Sequence, residues 1–265
     1  MNTNLIVNEI LNKIKFKIGP NQNIRKEYLY RIKKRIFKLI NKENNFINSN
    51  TTFSNINEKD LVAIKELEKI DTMSKISIGF IVNQICKNLS PKNVYLNIGV
   101  WRGFSMFAGM INTSCEVHGV DNFSFDYEDG NKPFDNREEE KKTRDYFFKN
   151  FAYFKKDEKH FFYDIDYKVF FKEWEKKNKL INFYYYDGEH SYENQYENLI
   201  IARNFLSKGS IILVDDYNED AVEGATMDFV SKYNSEFNVI KELKTANKYI
   251  HPTYANGIIL VEKNN

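Results

Sequence analysis

From residue 92 onward the chain repeats one pattern: a short apolar run, an abrupt stop at a glycine turn or a carboxylate, then a helical segment. Runs of this kind, apolar at nearly every position, suit strands buried on both faces. Their alternation with helices implies an α/β fold with a mostly parallel sheet and helices on both sides. The predicted strands are residues 94–98, 116–120, 161–163, 183–186, 211–214, 237–243 and 257–262. The predicted helices between them are 104–111, 170–177, 192–206 and 221–233.

The ends of these strands carry the chemistry. In an open α/β sheet, ligands bind beyond the carboxyl ends of the strands. Ile181-Asn182-Phe183-Tyr184-Tyr185-Tyr186 stops at Asp187-Gly188-Glu189-His190, and Ser210-Ile211-Ile212-Leu213-Val214 stops at Asp215-Asp216. Two acidic ends side by side are placed to hold a divalent cation, and His190 is a candidate proton acceptor near neutral pH. Simpler readings stand beside these. Asp187-Gly188 also fits a tight turn, and Asp215-Asp216 also fits the cap of the helix at 221.

The first strand ends in Gly99-Val100-Trp101-Arg102-Gly103-Phe104-Ser105, whose glycines let backbone approach a ligand closely. The spacing matches neither the dinucleotide fingerprint nor a phosphate loop. Asp121 ends the second strand, where an acid accepts hydrogen bonds from ribose hydroxyls, and Asp164 ends the third. The ordered set fits an adenosine-containing ligand, whereas each Asp alone also fits a cap or turn residue.

Residues 1–73 have a different texture and are predicted as a helical extension ahead of the 74–265 domain. Leu29, Ile32, Ile36 and Ile40 share one helix face, flanked by Arg25, Lys26, Arg31, Lys33, Lys34, Arg35 and Lys38. Residues 44–57 read as a linker, and 60–70 and 74–89 as two more helices. The interval 122–150, with Gly130, Pro133 and a charged stretch at 137–142, reads as a long functional loop; its part 138–142 also fits a solvated helix turn. Net charge is +2, which argues neither for nor against nucleic acid, but the basic helix lacks interleaved aromatics, so a nucleic-acid partner is not expected. Packing on the domain, or on a second copy of the chain, is the other use of that helix. No apolar run reaches bilayer length, and the first residues lack a signal-peptide pattern. Cys86 and Cys115 make no disulfide framework and read as buried packing, in keeping with a reducing, cytoplasmic setting.

The segment from Tyr95 through Asn97, Gly99, Trp101 and Gly103 to Ser105 resembles the first motif of class I S-adenosylmethionine-dependent methyltransferases, and His118-Gly119-Val120-Asp121-Asn122-Phe123 resembles their second. Tyr186-Asp187-Gly188-Glu189-His190-Ser191-Tyr192 and Val214-Asp215-Asp216-Tyr217 resemble the branch that includes macrolide-sugar O-methyltransferases. The likeness spans residues 92–262. It implies a doubly wound, seven-stranded, mostly parallel Rossmann-like sheet. It implies a cofactor site of Asn97, Gly99, Trp101, Gly103, Ser105, Asp121, Asn122 and Asp164. It also implies Mg²⁺ on Asp187, Asp215 and Asp216, and Asp187 and His190 as the catalytic pair, His190 taking the proton. One departure stands out: the family usually has an acid where this chain has Asn97. Trp101 and Tyr217 are candidate pocket walls, and His251 a candidate visitor to the cleft. The implied activity is O-methylation of a sugar or other small polyol. An RNA- or protein-directed methyltransferase and a non-catalytic cofactor-binding module are the alternatives.

Overall fold

Strand β3 (Val94–Ile98) is buried at every residue, and so is most of β6 (Ile181–Tyr186) beside it. The computed structural model describes residues 3–23, 50–124, 136–156, 158–246 and 251–264. Between β3 and β6 lie β4 (Glu116–Val120) and β5 (His160–Tyr163); after β6 come β7 (Leu206–Val214), β8 (Phe237–Leu243) and β9 (Ile258–Lys263). The seven strands align in the order β5-β4-β3-β6-β7-β9-β8. Pairings are parallel from β5 through β7, and β9 runs antiparallel to both β7 and β8. The chain builds outward from β3 to β5, then returns to place β6 on the other side of β3. That reversal opens a crevice above the carboxyl ends of β3 and β6, the place where such sheets bind ligands.

Alternate residues of each strand enter two separate cores, the consequence of a period of two. Tyr95, Val117, Phe183, Tyr185 and Leu213 face one side. There they pack with α3 (Ile76–Lys87), α4 (Phe104–Met110) and α5 (Asn136–Phe154). Leu96, Ile98, Tyr184, Tyr186 and Val214 face the other side, packing with α6 (Tyr167–Glu175), α7 (Tyr192–Arg203) and α8 (Asp220–Lys232). The sheet is thus doubly wound. Burying tyrosines requires partners for their hydroxyls. Tyr95 donates to the Ser105 carbonyl (3.2 Å), Tyr184 to Asn198, and Tyr186 to the Glu189 carbonyl (3.1 Å).

Two segments differ from the sequence reading. Residues 136–154 of the supposed long loop form α5. Its charges drew the eye, but Phe147, Phe151 and Phe154 recur at helical spacing and pack with Phe107, Phe123 and Phe162. The N-terminal region holds α1 (Thr3–Asn12), then two three-residue strands, β1 (Ile14–Phe16) and β2 (Thr51–Phe53), paired antiparallel, then α2 (Glu58–Leu67). Helices and a linker at 44–57 were expected there, and no strand. Three-residue strands leave too short a pattern to read. Val7, Ile10, Ile64 and Leu67 join the same core as α3, so this region completes one face of the sheet. The amphipathic stretch at 29–40, residues 44–49 of the 44–57 linker, and Gly130 and Pro133 lie outside the described residues. Cys86 and Cys115 are both buried free thiols. No helix among the described residues is long and apolar enough to cross a membrane.

His118 on β4 is a buried titratable group far from any cleft function. It stacks on Phe161 and Tyr163 and meets the edge of Trp174. Burial pushes its pKa down to about 4, a pull only partly offset by Glu116 at 3.2 Å. Between the ordinary value of 6.5 and about 4, the unfolded chain therefore holds a proton that the folded chain refuses. Stability is full above that window and falls as pH drops through it, by roughly 3 kcal/mol for this group alone. Denaturant unfolding at stepped pH should show this loss, and His118→Phe should flatten that part of the profile.

Candidate active site

The crevice is a cleft of about 680 Å³ lined by the ends of β3, β4, β6 and β7 and the segments that follow them. Its first wall is the turn after β3. Gly99 sits at φ 76°, and a Cβ there would fall on the backbone carbonyl of Asp187. Only glycine allows the two strand ends to meet so closely. Trp101 is also left-handed, at φ 45°, and Gly103 at φ 92° leads into α4 beneath the ring of Phe107.

Asp121 organises this turn. One carboxylate oxygen accepts the backbone N–H groups of Val100 and Trp101, both at 2.8 Å, and the other accepts that of Phe123 at 2.6 Å. Burial raises its pKa, against the pull of those three donors. Asn97 lies under the turn, fully buried and outside the cleft lining. Its amide donates to the carbonyls of Ile98 and Gly99 (3.2 Å each) and accepts from the Ser105 hydroxyl at 2.7 Å. The amide in place of the family's acid thus ties β3 to α4. Gly99, Trp101, Ser105, Asp121 and Asn122 line the cleft, whereas Gly103 and Asp164 do not. Asp164 instead pairs with Arg144 on α5. Two residues further on, Asp166 both lines the cleft and caps α6, accepting the N–H of Lys168 at 2.8 Å. Sequence reasoning also missed Thr72, Met73 and Ser74, which reach the cleft from the loop before α3. The Ser74 hydroxyl is buried and makes no hydrogen bond among the described residues.

The opposite wall is acidic. The Asp187 N–H donates to the Ile98 carbonyl (3.0 Å), and that of Asp215 to Tyr186 (3.1 Å), so both acids continue the sheet's own hydrogen bonding. Asp215 is buried, accepting from the Tyr185 hydroxyl at 2.5 Å and the Asp216 N–H at 2.9 Å. Burial and the charges of Asp187 and Asp216 raise its pKa well above the carboxylate range. Asp216 turns at φ 53°, a left-handed conformation that carries its side chain back over the cleft. Burial and Asp187 lift it to about 6.

Ligand atoms of Asp187, His190 and Asp216 all lie within 4.8 Å of one another. His190 Nε2 is 3.2 Å from Asp216 and 3.6 Å from Asp187, and its Nδ1 is 3.6 Å from Glu219. Burial pulls its pKa down, but the bonds to Asp187 and Glu219 and the charge of Asp216 outweigh that and lift it to about 11. All three expected acids line the cleft; Asp187 and Asp216 cluster with His190, and Asp215 accepts from Tyr185 and from the Asp216 N–H. Tyr217 is fully buried and outside the lining, and His251, also buried, bonds Thr253 and the Gln22 carbonyl.

Residues 96–217 match the family described as "Methyltransferase domain". The fold resembles the SAH-bound methyltransferase PaMTH1 of Podospora anserina, at 12% identity over 94% of this chain and 100% of that one, with a TM-score of 0.53. It also resembles the O-methyltransferase from Bacillus cereus in complex with SAH (11%, 79% and 92%, TM-score 0.51) and cofactor-bound Rv0187 from MTB (13%, 78% and 88%, TM-score 0.52). No curated protein matches the sequence. Residues 96–217 thus resemble a methyltransferase domain, and the seven-stranded sheet that carries them has the Rossmann-like methyltransferase fold.

Proposed function

We propose that the chain is an S-adenosylmethionine-dependent O-methyltransferase, assisted by a divalent cation and acting on a hydroxyl of a sugar or another small polyol. One observation carries this reading: the glycine turn with Asp121 and the Asp187–His190–Asp216 cluster face each other across a single cleft. The first half suits a methyl donor, the second a hydroxyl. The solved neighbours from Bacillus cereus and Podospora anserina hold SAH on the same fold.

The cleft's charge supports the donor. Asp121, Asp166, Asp187, Glu189, Asp215 and Asp216 line it, and among the described residues no lysine or arginine does. S-adenosylmethionine brings a sulfonium and an ammonium to such a surface. The Ser74 hydroxyl offers an unused polar group on the same wall. The polyol reading rests on Asp166, Glu189, Ser191 and Asn194, a set of hydroxyl-binding side chains around Tyr167.

Methyl transfer forms a carbon–oxygen bond in line with the breaking carbon–sulfur bond, while the hydroxyl gives up its proton to a base, for which His190 on the cleft wall is the candidate acceptor. A bound divalent cation such as Mg²⁺ supplies a lowered hydroxyl pKa and a fixed direction of attack. Asp187 and Asp216 are the carboxylates that would hold it. Asp215 steadies Asp216 by accepting its N–H. Trp101, Phe123 and Tyr167 wall the cleft and exclude water around the transferring group.

Calorimetry should show S-adenosylhomocysteine binding the full chain in the micromolar range, roughly −8 kcal/mol. Gly99→Ala, which forces the turn off Asp187, should weaken that binding about tenfold or more. No binding by the unaltered protein would sink the reading. With a panel of glycosides as acceptors and S-adenosylhomocysteine release as readout, Asp187→Asn and Asp216→Asn should each cut turnover about 100-fold, near 3 kcal/mol of transition-state stabilisation. Their affinity for S-adenosylhomocysteine should stay within about threefold of the unaltered protein's. Full turnover in both variants, or in excess chelator, would remove the metal from the mechanism.

A further inference from the structure

We propose that Asp71, Arg102 and Tyr146 form a latch that holds residues 71–74 as a strap at the rim of the cleft, and that opening of this latch sets how fast the bound cofactor leaves. The identity of that cofactor rests on the reading above; the latch itself rests on geometry alone.

The strap joins α2 to α3. Both of its ends are sunk in the core: Ile70 is buried after α2, and Lys75 and Ile76 are buried at the start of α3. Its middle is not. Asp71 is exposed and Met73 is 64% exposed, yet Thr72, Met73 and Ser74 line the cleft. One internal bond, from the Ser74 N–H to the Thr72 hydroxyl at 3.0 Å, gives it shape. Among the described residues, the hydrogen bonds that join 71–74 to the rest of the protein are both made by Asp71. A short segment anchored at its ends and tied at one residue between them has low local stability, the property that lids require.

The tie reaches two other elements. The Asp71 N–H donates to the Tyr146 hydroxyl on α5 at 2.6 Å, and the Asp71 carboxylate pairs with Arg102 in the glycine turn after β3. Arg102 is itself enclosed. Its guanidinium lies 4.4 Å from the centre of the Trp101 ring and 5.4 Å from that of Tyr146. Its side chain is 18% exposed against 50% for that of Asp71, so the rings hold the guanidinium in place and the carboxylate comes to it. Trp101 is a wall of the cleft, and its N–H is bound by Asp121. Arg102 therefore steadies the wall ring and the strap together. It lies outside the cleft lining, so it acts through these neighbours as a positioning residue.

The consequence for a bound ligand is kinetic. With the pair made, Trp101 and the strap are held as one rim; with it broken, the strap swings on its two buried ends. An ion pair with one exposed partner is weakly held and screened by salt. The latch thus opens often and at little cost, which suits a gate and not a structural brace.

Stopped-flow displacement of S-adenosylhomocysteine from the full chain, read by the fluorescence of Trp101, measures release. Asp71→Asn should speed it about threefold to fivefold and Arg102→Met about tenfold, with the double variant no faster than Arg102→Met alone. Asp71→Glu, which keeps the charge, should stay within about twofold of the unaltered rate. Added salt should speed release from the unaltered chain and change it far less in Asp71→Asn. Hydrogen exchange of the ligand-free chain over residues 68–76 is the second measurement. Tyr146→Phe and Arg102→Met should each speed exchange there about threefold or more. Unchanged exchange in the strap, release unmoved by Asp71→Asn and Arg102→Met, or effects that add in the double variant would overturn the proposal. Failure of S-adenosylhomocysteine to bind the unaltered chain would strike the methyltransferase reading; the exchange measurement needs no ligand and decides the latch by itself.

Discussion

The missing side chain of Gly99 lets the turn after β3 lie directly against the carbonyl of Asp187 at the end of β6. Those two strands are neighbours only because the chain reverses its direction of growth between them. Everything in the cleft hangs on this contact. Asp121 reaches across from β4 to hold the turn by two of its N–H groups, and Asn97 holds it from below. On the other side, Asp187 is fixed by its own N–H bond to Ile98. The donor half and the acidic half of the site are therefore registered against each other by backbone, where side-chain motion cannot blur their spacing.

The same registration creates an electrostatic problem. Asp187, Asp215, Asp216 and Glu219 converge near the mouth of β6 and β7, and burial raises the cost of each charge. The structure answers in two ways. Burial and the charges of Asp187 and Asp216 push the Asp215 pKa up, and a tyrosine hydroxyl and a backbone donor offset only part of that rise. The others are given His190, whose proton they bind strongly enough to lift its pKa to about 11. A site that raises one histidine so far is a site that attracts positive charge in general. That property joins the two halves of the cleft, since the proposed donor and the proposed metal are both cations.

Much of this was legible in the sequence. β3 and β4 fall where the apolar runs put them, because strands buried on two faces leave continuous patterns with sharp ends. The acids at those ends were legible for the same reason. Orientation was not. Asp215 and Asp216 are identical residues side by side, and what separates their roles is the pleat of β7 and the left-handed turn at Asp216. Asp164 and Asp166 exchange expected places because α6 begins earlier than its apolar residues suggest, turning Asp164 toward Arg144. Helix α5 was hidden by its charge, although its phenylalanines keep helical period. Thr72, Met73 and Ser74 carry no motif, and their presence at the cleft is a consequence of how α3 packs.

The antiparallel strand β9 has more to do than close the sheet. Inserted between β7 and β8, it delivers Asn256 and Gly257 to the start of α8. There the Gly257 carbonyl accepts the Tyr217 N–H at 3.1 Å, and the Asn256 carbonyl accepts the Asn218 N–H at 2.8 Å. These bonds fix the stretch that runs from Asp216 to Glu219, while the Glu219 N–H closes it back onto the Asp216 carbonyl at 2.9 Å. A Cβ on Gly257, at φ 84°, would strike the Asn218 side chain and loosen the whole turn. The carboxylate facing the cleft and the carboxylate behind His190 are thus set by one short segment, and that segment is held by a strand remote in sequence. The acidic half of the site is in this sense a product of the far edge of the sheet, just as the donor half is a product of its centre.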